Sequence, residues 1–252
     1  MSDDFFVGYL PAPPAAARRM RRVAAALVMM AGVVAAVLAL ATGPFDRALF
    51  EYGREREWKG TVELAPVPVL IAQAEEATGT PFRAAVRFPL VATGKHGAGP
   101  LVASFDGAAV RLRGTRIARE GTTMIEVVPG TIERDAPALP EDGRPAPASR
   151  VEDLGRSTFV GEIVDSKCFL GVMNPGRLEV HRACAMRCIA GGIPPMLFAH
   201  DDAGREAHLL LVDAEGGPLN DRILDFVARP ITIEGRLERR DELHYLYAET
   251  WR

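Results

Sequence analysis

From Val23 to Thr42 the chain reads VAAALVMMAGVVAAVLALAT, with no charged residue before Asp46. No other feature constrains the fold as strongly. A helix of about 20 apolar residues, rising about 1.5 Å per residue, matches the hydrocarbon thickness of a bilayer. Arg18, Arg19, Arg21 and Arg22 precede the run, and Asp46 and Arg47 follow it. Arginine on the leading flank places that flank in the cytoplasm. The sequence therefore predicts a cytoplasmic tail (1–22), a transmembrane helix (23–42) and an extracytoplasmic remainder. That is the layout of a single-pass protein of a bacterial inner membrane with its bulk in the periplasm. A cleaved signal peptide competes with this reading, because Ala39-Leu40-Ala41 has the form of a cleavage site. The length of the run and the patterned tail before it favour a retained anchor. In that tail, DDFFVGYLPAPP carries Phe5, Phe6 and Tyr9 among prolines, an extended peptide suited to docking on a partner.

The charge of the whole chain narrows its partners. With a formal net charge of −3 there is no overall basic field of the kind nucleic acid attracts. Nucleic acid is set aside on that ground. The lipid bilayer, through residues 23–42, and a membrane protein complex are the partners expected.

Beyond the apolar run, GPFDRALFEYGREREW (43–58) reads as a short helical continuation, with a strand opening at Lys59. Strand signals follow in GTVELAPVPVLIA, FRAAVRFPLVAT, AAVRLRGTRIA and TTMIEVV, separated by Gly-rich turns such as GKHGAGP. Lys95 and His96 in that turn read as loop residues. DAPALPEDGRPAPAS lacks apolar periodicity and reads as an extended linker, giving a first β domain at 43–134 and a linker at 135–150. Strands resume within 151–252 in STFVGEIVD, PMLFAH, HLLLVDA, PITIEGRLERR and HYLYAE, with a short helix expected at LNDRILDFVA.

The two β regions resemble each other. VRLRGTRIAREGTTMIEV and ITIEGRLERRDELHYLYAE share a strand, Gly, strand, charged turn, strand layout, and KGTVEL at Gly60 parallels VGEIVD at Gly161. Gly60 and Gly114 are 54 positions apart, Gly161 and Gly235 are 74 apart, and the excess of 20 equals the offset from Cys168 to Cys188. The pattern predicts two copies of a small five-stranded barrel, the second carrying an insertion; convergent strand patterning is the alternative.

That insertion, DSKCFLGVMNPGRLEVHRACAMRC, holds all three cysteines of the chain. RLEVHRACAMRCIAGG reads as a helix stopped by Gly191 and Gly192, which would set His181, Cys184 and Cys188 on one stripe. Cys168, near a strand end, would supply a fourth soft group. Four readings stay open. A disulfide from Cys168 to Cys184 or Cys188 suits an oxidising compartment and would add about 3 kcal/mol, leaving one thiol over. A metal site of Cys168, His181, Cys184 and Cys188 suits Zn(II) or Cu(I). Thiol–disulfide exchange would need a lowered thiol pKa, to which Arg182 and Arg187 could contribute. Lastly, small cysteines can serve simply as core residues. Asp165, ahead of Cys168, is a candidate supporting group.

The pattern GEIVDSKC, then HRACAMRCIAGGIPPML, resembles a group of small exported bacterial domains with Gly-x-Ile-x-Asp-x-x-Cys, a later Cys-x3-Cys and a Gly-rich stop. The resemblance covers about residues 158–249, through Gly161, Ile163, Asp165, Cys168, Cys184, Cys188 and Gly191. It implies an OB-like barrel and carries no particular activity. The fold expected is thus mainly β, a single N-terminal transmembrane helix followed by two small OB-like β-barrel domains. No Gly-x-Ser-x-Gly elbow, P-loop or Cys-x-x-Cys-His motif occurs, and His96, His200, His208 and His244 are scattered as ordinary loop or strand residues. With no catalytic constellation, the first functional expectation is an extracytoplasmic accessory subunit or scaffold of a membrane-associated redox or cell-envelope complex. A metal-binding or metal-delivery protein comes second, and a thiol–disulfide oxidoreductase third.

Overall fold

The computed structural model describes residues 13–41, 48–73, 85–135, 149–200 and 206–252. Phe5, Phe6 and Tyr9, and the linker between 136 and 148, lie outside them. Helix α1 (Pro14–Ala41) takes in residues 23–41 of the predicted span and the arginines before it. Proline suits the first turn of a helix, where its missing N–H would find no intrahelical partner. By length and composition α1 is apolar enough to cross a membrane, a test that a signal sequence also passes. Residues 46–252 form a separate compact unit, and that unit is β.

Its first half contains β1 (Ala48–Glu63), β2 (Val69–Gln73), β3 (Ala85–Ala92), β4 (Ala109–Arg119), β5 (Thr122–Val127) and the short β6 (Glu133–Arg134). Its second half contains β7 (Val151–Asp165), β8 (Pro195–His200), β9 (Glu206–Asp213), β10 (Pro230–Arg240) and β11 (Leu243–Trp251). In the second half β7 pairs with β8 and β8 with β9, both antiparallel; β9 pairs with β11 in parallel; and β11–β10 and β10–β7, again antiparallel, close a five-stranded barrel. The first half has the same five pairings in the same order: β1–β2, β2–β3, a parallel β3–β5, β5–β4 and β4–β1. β6 is added at the outer edge of β4.

The register matches as well. Gly60 lies opposite Val110 and Gly161 opposite Ile231. Four residues further along β4 and β10, Gly114 faces Val127 and Gly235 faces Ala248. A Cβ on Gly60 would overlap the Ile71 carbonyl, and one on Gly161 the Phe198 carbonyl. Both glycines let the first strand press onto the second at the same point of the ring.

One expectation fails at the entrance. Residues 48–58 are strand, not helix. Glu55 to Thr61 pair with Ala109 to Thr115 across β4, and Trp58 is buried with its indole N–H donating to the Gly114 carbonyl at 3.1 Å. The charges of GREREW decorate a strand, with Arg113 and Glu55 forming an ion pair at 2.6 Å. The helix expected at LNDRILDFVA is two short 3-10 turns, Asn220–Arg222 and Leu224–Phe226.

The buried side chains fall into three layers. Trp58, Val62, Leu70, Leu90, Leu112 and Ile125 fill the inside of the first half. Ile163, Leu197, Leu209, Leu211, Ile233 and Leu246 fill the barrel of the second half. Between them lies a shared layer. Val69, Val91, Ile117 and Met124 come from the first half, and Met196, Phe198, Leu210, Val212 and Tyr245 from the outer face of the second. Because successive residues of a strand point to opposite faces, β8 gives Leu197 and Ala199 to one layer and Met196 and Phe198 to the other. That is why PMLFA reads as an unbroken apolar run.

Candidate functional site

The connection from β7 to β8, residues 166–194, enters this shared layer with Cys168, Phe169, Leu170, Cys188 and Ile193. Asp165, the last residue of β7, is fully buried. Its Oδ1 accepts the Cys168 backbone N–H at 2.8 Å, and its Oδ2 lies 3.1 Å from His181 Nε2. One carboxylate thereby sets the turn that aims Cys168 and tethers the imidazole. The chain then passes through an irregular turn at Cys168–Val172 and a positive φ of 68° at Leu178. A residue in the left-handed region interrupts a right-handed helix. The helix therefore begins later than the sequence suggested: Glu179–His181 is a 3-10 turn and α3 runs Arg182–Ala190 (α2 being the short Gly99–Val102).

Cys184 and Cys188, one turn apart on α3, come together with Cys168. The three Sγ atoms lie within 4.8 Å of one another, and all three residues are free cysteines. His181 lies within the same limit of Cys168 and Asp165, which makes a second group sharing Cys168 with the first. The structure thus brings the four predicted ligand residues into two overlapping groups that share Cys168, with Asp165 in the second as the supporting group. His181 stands on the Cys168 side, off the helix stripe, because it precedes α3.

The cation at the thiols is not the one expected. Arg182 turns away and donates from Nε to the Val227 carbonyl at 3.1 Å, and Arg187 is exposed. Instead Lys95, from the loop after β3, brings its ammonium 2.7 Å from Cys184 Sγ and 3.7 Å from Cys188 Sγ. The bond to Cys184 raises the Lys95 pKa. Hydrogen bonding from Cys168 pulls Cys188 down to about 7 against the opposing effect of burial, with Lys95 assisting. Cys168, the proton-holding partner, is raised by that same bond, by burial and by Asp165.

Backbone packing holds the Lys95 loop in place. Gly97 N–H donates to the Gly191 carbonyl at 2.9 Å, and a Cβ on Gly191 would overlap the Lys95 carbonyl. Gly191 and Gly192 therefore do more than stop α3: they admit a second backbone. Lys167 fixes the other side. Its buried ammonium donates to the Ala92 carbonyl at 2.9 Å, the Gly94 carbonyl at 2.7 Å and Glu126 Oε1 at 2.9 Å, using its three hydrogens. Neither lysine is evident from local sequence. The signal available was a pair of glycine-flanked segments, GKHG and AGG, whose close approach no spacing rule reveals.

Of the remaining histidines, His96 and His200 are exposed. His208 departs from expectation: its side chain is 7% exposed, packs edge-on against Phe169 at 5.2 Å and has its pKa lowered by burial. It stands in the shared layer as an aromatic, outside both clusters of metal-ligating groups.

No protein-family model, curated protein or solved structure matches this chain.

Proposed function

We propose that this chain is a membrane-tethered, extracytoplasmic metal-binding protein whose two β halves are both OB-like barrels. The observation that carries the reading is the convergence of Cys168, Cys184 and Cys188. Three soft donors from two elements meet within 4.8 Å in a buried layer without forming a disulfide. Three thiolates suit Cu(I), and Zn(II) takes the same three with His181 as a fourth ligand. Asp165 holding the imidazole is the outer-shell partner that metal-ligating histidines use, and the Lys95 ammonium balances the negative charge that thiolates gather. Repetition of the five strand pairings supports the reading of two barrels, and α1 with its arginines supports the tether. The resemblance of residues 158–249 to small exported domains agrees with both.

The accessory-subunit reading remains compatible with this one. Met173, Leu178 and Val180 stand exposed on the same insertion, where a partner could dock.

Elemental analysis of the full chain, extracted in detergent without chelator, tests the proposal. The expected result is one equivalent of copper or zinc, lost in Cys168→Ser and Cys184→Ser. A metal-free wild type that takes up neither ion under reducing conditions would refute it. A Cys168–Cys188 disulfide that cycles with external thiols would favour the oxidoreductase instead.

A further inference from the structure

Lys95 and Cys184 are 89 positions apart in sequence, yet their Nζ and Sγ atoms meet at 2.7 Å. The approach is built into the backbone. The Gly97–Gly191 hydrogen bond and the tight packing of Lys95 O over Gly191 hold the loop on α3, and Lys167 clamps the carbonyls of residues 92 and 94. The pair is also the accessible part of the cluster: Lys95 is exposed and Cys184 half-buried, whereas Cys168 and Cys188 are buried. Oxidation of cysteine selects for exposure as well as thiolate character, so a small oxidant meets Cys184 with Lys95 Nζ already beside it.

The geometry points to Lys95 and Cys184 as a site of oxidative cross-linking, in which one oxygen atom of dioxygen is inserted between Nζ and Sγ to give an N–O–S bridge. Between them Nζ and Sγ carry three exchangeable hydrogens. One stays on nitrogen, and two leave with the second oxygen atom as water. Nitrogen and sulfur each give up two electrons, and dioxygen accepts all four. An N–O and an O–S bond form, and the O–O bond breaks. Excess dithiol reverses the step, returning amine, thiol and a second water. The bridge joins the Lys95 loop of the first half to α3 and withdraws Cys184 from any ligand set, so oxidation and metal occupancy oppose each other. The inference stands on the Lys95–Cys184 contact and holds whether or not the cluster binds metal.

The test uses the full chain in detergent, stripped with chelator and held in either air-saturated or anaerobic buffer. Alkylation, proteolysis and mass spectrometry then follow. The expected product links the peptides of Lys95 and Cys184, heavier than their sum by one oxygen less two hydrogens. It should be absent without dioxygen and after dithiothreitol, present in Cys188→Ser and missing from Lys95→Arg. Full alkylation of Cys184 after exposure to dioxygen would overturn the inference. So would recovery of Cys184 only as a disulfide with Cys168 or Cys188. Metal content measured on parallel samples keeps the two readings apart. Failure of the air-exposed sample to form the bridge refutes the bridge alone, and failure of the anaerobic, unbridged sample to take up metal refutes the metal site alone.

Discussion

The two β halves differ most where they should match best. Both thread five strands through the same pairings, and both place a glycine where the first strand presses on the second. In the first half, β1 and β2 are joined by residues 64–68; in the second, β7 and β8 are joined by residues 166–194, which hold every cysteine. The long connection does not hang from the barrel as a surface loop. It inserts Phe169 and Leu170 into the shared layer, and Lys167 reaches the first half. The first half answers with the loop after β3, which supplies Lys95. One half carries the sulfur and the other the charge placed against it. The cluster therefore belongs to the junction, and assembly of the site is coupled to the packing of the halves.

That comparison can be broken most severely at Lys167. Lys167→Met leaves the carboxylate of Glu126 and two carbonyls without their cation, and losing one partner of a buried charged network costs about 3–5 kcal/mol. Denaturant midpoints should show this loss, with Lys59→Met, an exposed position within β1, close to wild type. An equal midpoint for both variants would mean that the junction contributes little.

Gly191→Ala comes next. Its methyl group has nowhere to go except into the Lys95 carbonyl, and overpacking of this kind costs about 1–3 kcal/mol. Because the strain falls on the Lys95 loop, thiol reactivity should change along with stability. Cys184 in this variant should alkylate faster than in wild type.

The likeness between the halves is sharpened by a matched pair, Gly60→Ala and Gly161→Ala. Each adds a Cβ against the carbonyl of the neighbouring strand, so each should cost a similar amount, again about 1–3 kcal/mol. A large cost at one position and none at the other would show that the shared register does not mean shared packing.

The smallest effect concerns a polar tie at the far side of the junction. Buried Arg87 of the first half donates to Glu63 at 3.0 Å and to Asp241 of the second at 2.9 Å, and its backbone N–H is bound by Glu242. Partial desolvation of its carboxyl raises Glu242 to about 7 from 4.5, and because the residue as a whole is exposed, solvent screening keeps the effect on stability small. A carboxyl group raised on folding keeps its proton in the native state after the unfolded chain has released it. Its contribution to stability is full below about pH 4.5 and is lost as pH rises through about 7. Glu242→Gln should flatten this decline, seen as a smaller drop in denaturant midpoint between about pH 5 and about pH 8.

How much was legible follows from the range of each interaction. Strand alternation in AVRLRGTRIAR and PITIEGRLERR, and the glycines within them, reflect contacts one strand away, and these gave both halves and their correspondence. Asp165 and the cysteines were legible because a strand end, a turn and a helix bring them together within one segment. The start of β1 was misread because GREREW has no apolar alternation; its strand character comes from β4. Arg182 and Arg187 looked like the thiols' cations because they are neighbours in sequence, but a helix turns neighbours to different faces.

The sequence by itself determined the apolar helix, the repeated strand order and the gathering of soft ligands in one insertion. Each of these depends on local periodicity or on chain connectivity. Only the tertiary structure decided that the insertion lies between the halves, that Lys167 clamps it there and that Lys95 reaches the sulfurs. Those contacts join segments far apart in the chain, and their partners are fixed by how two curved sheets pack, which no spacing along the chain records.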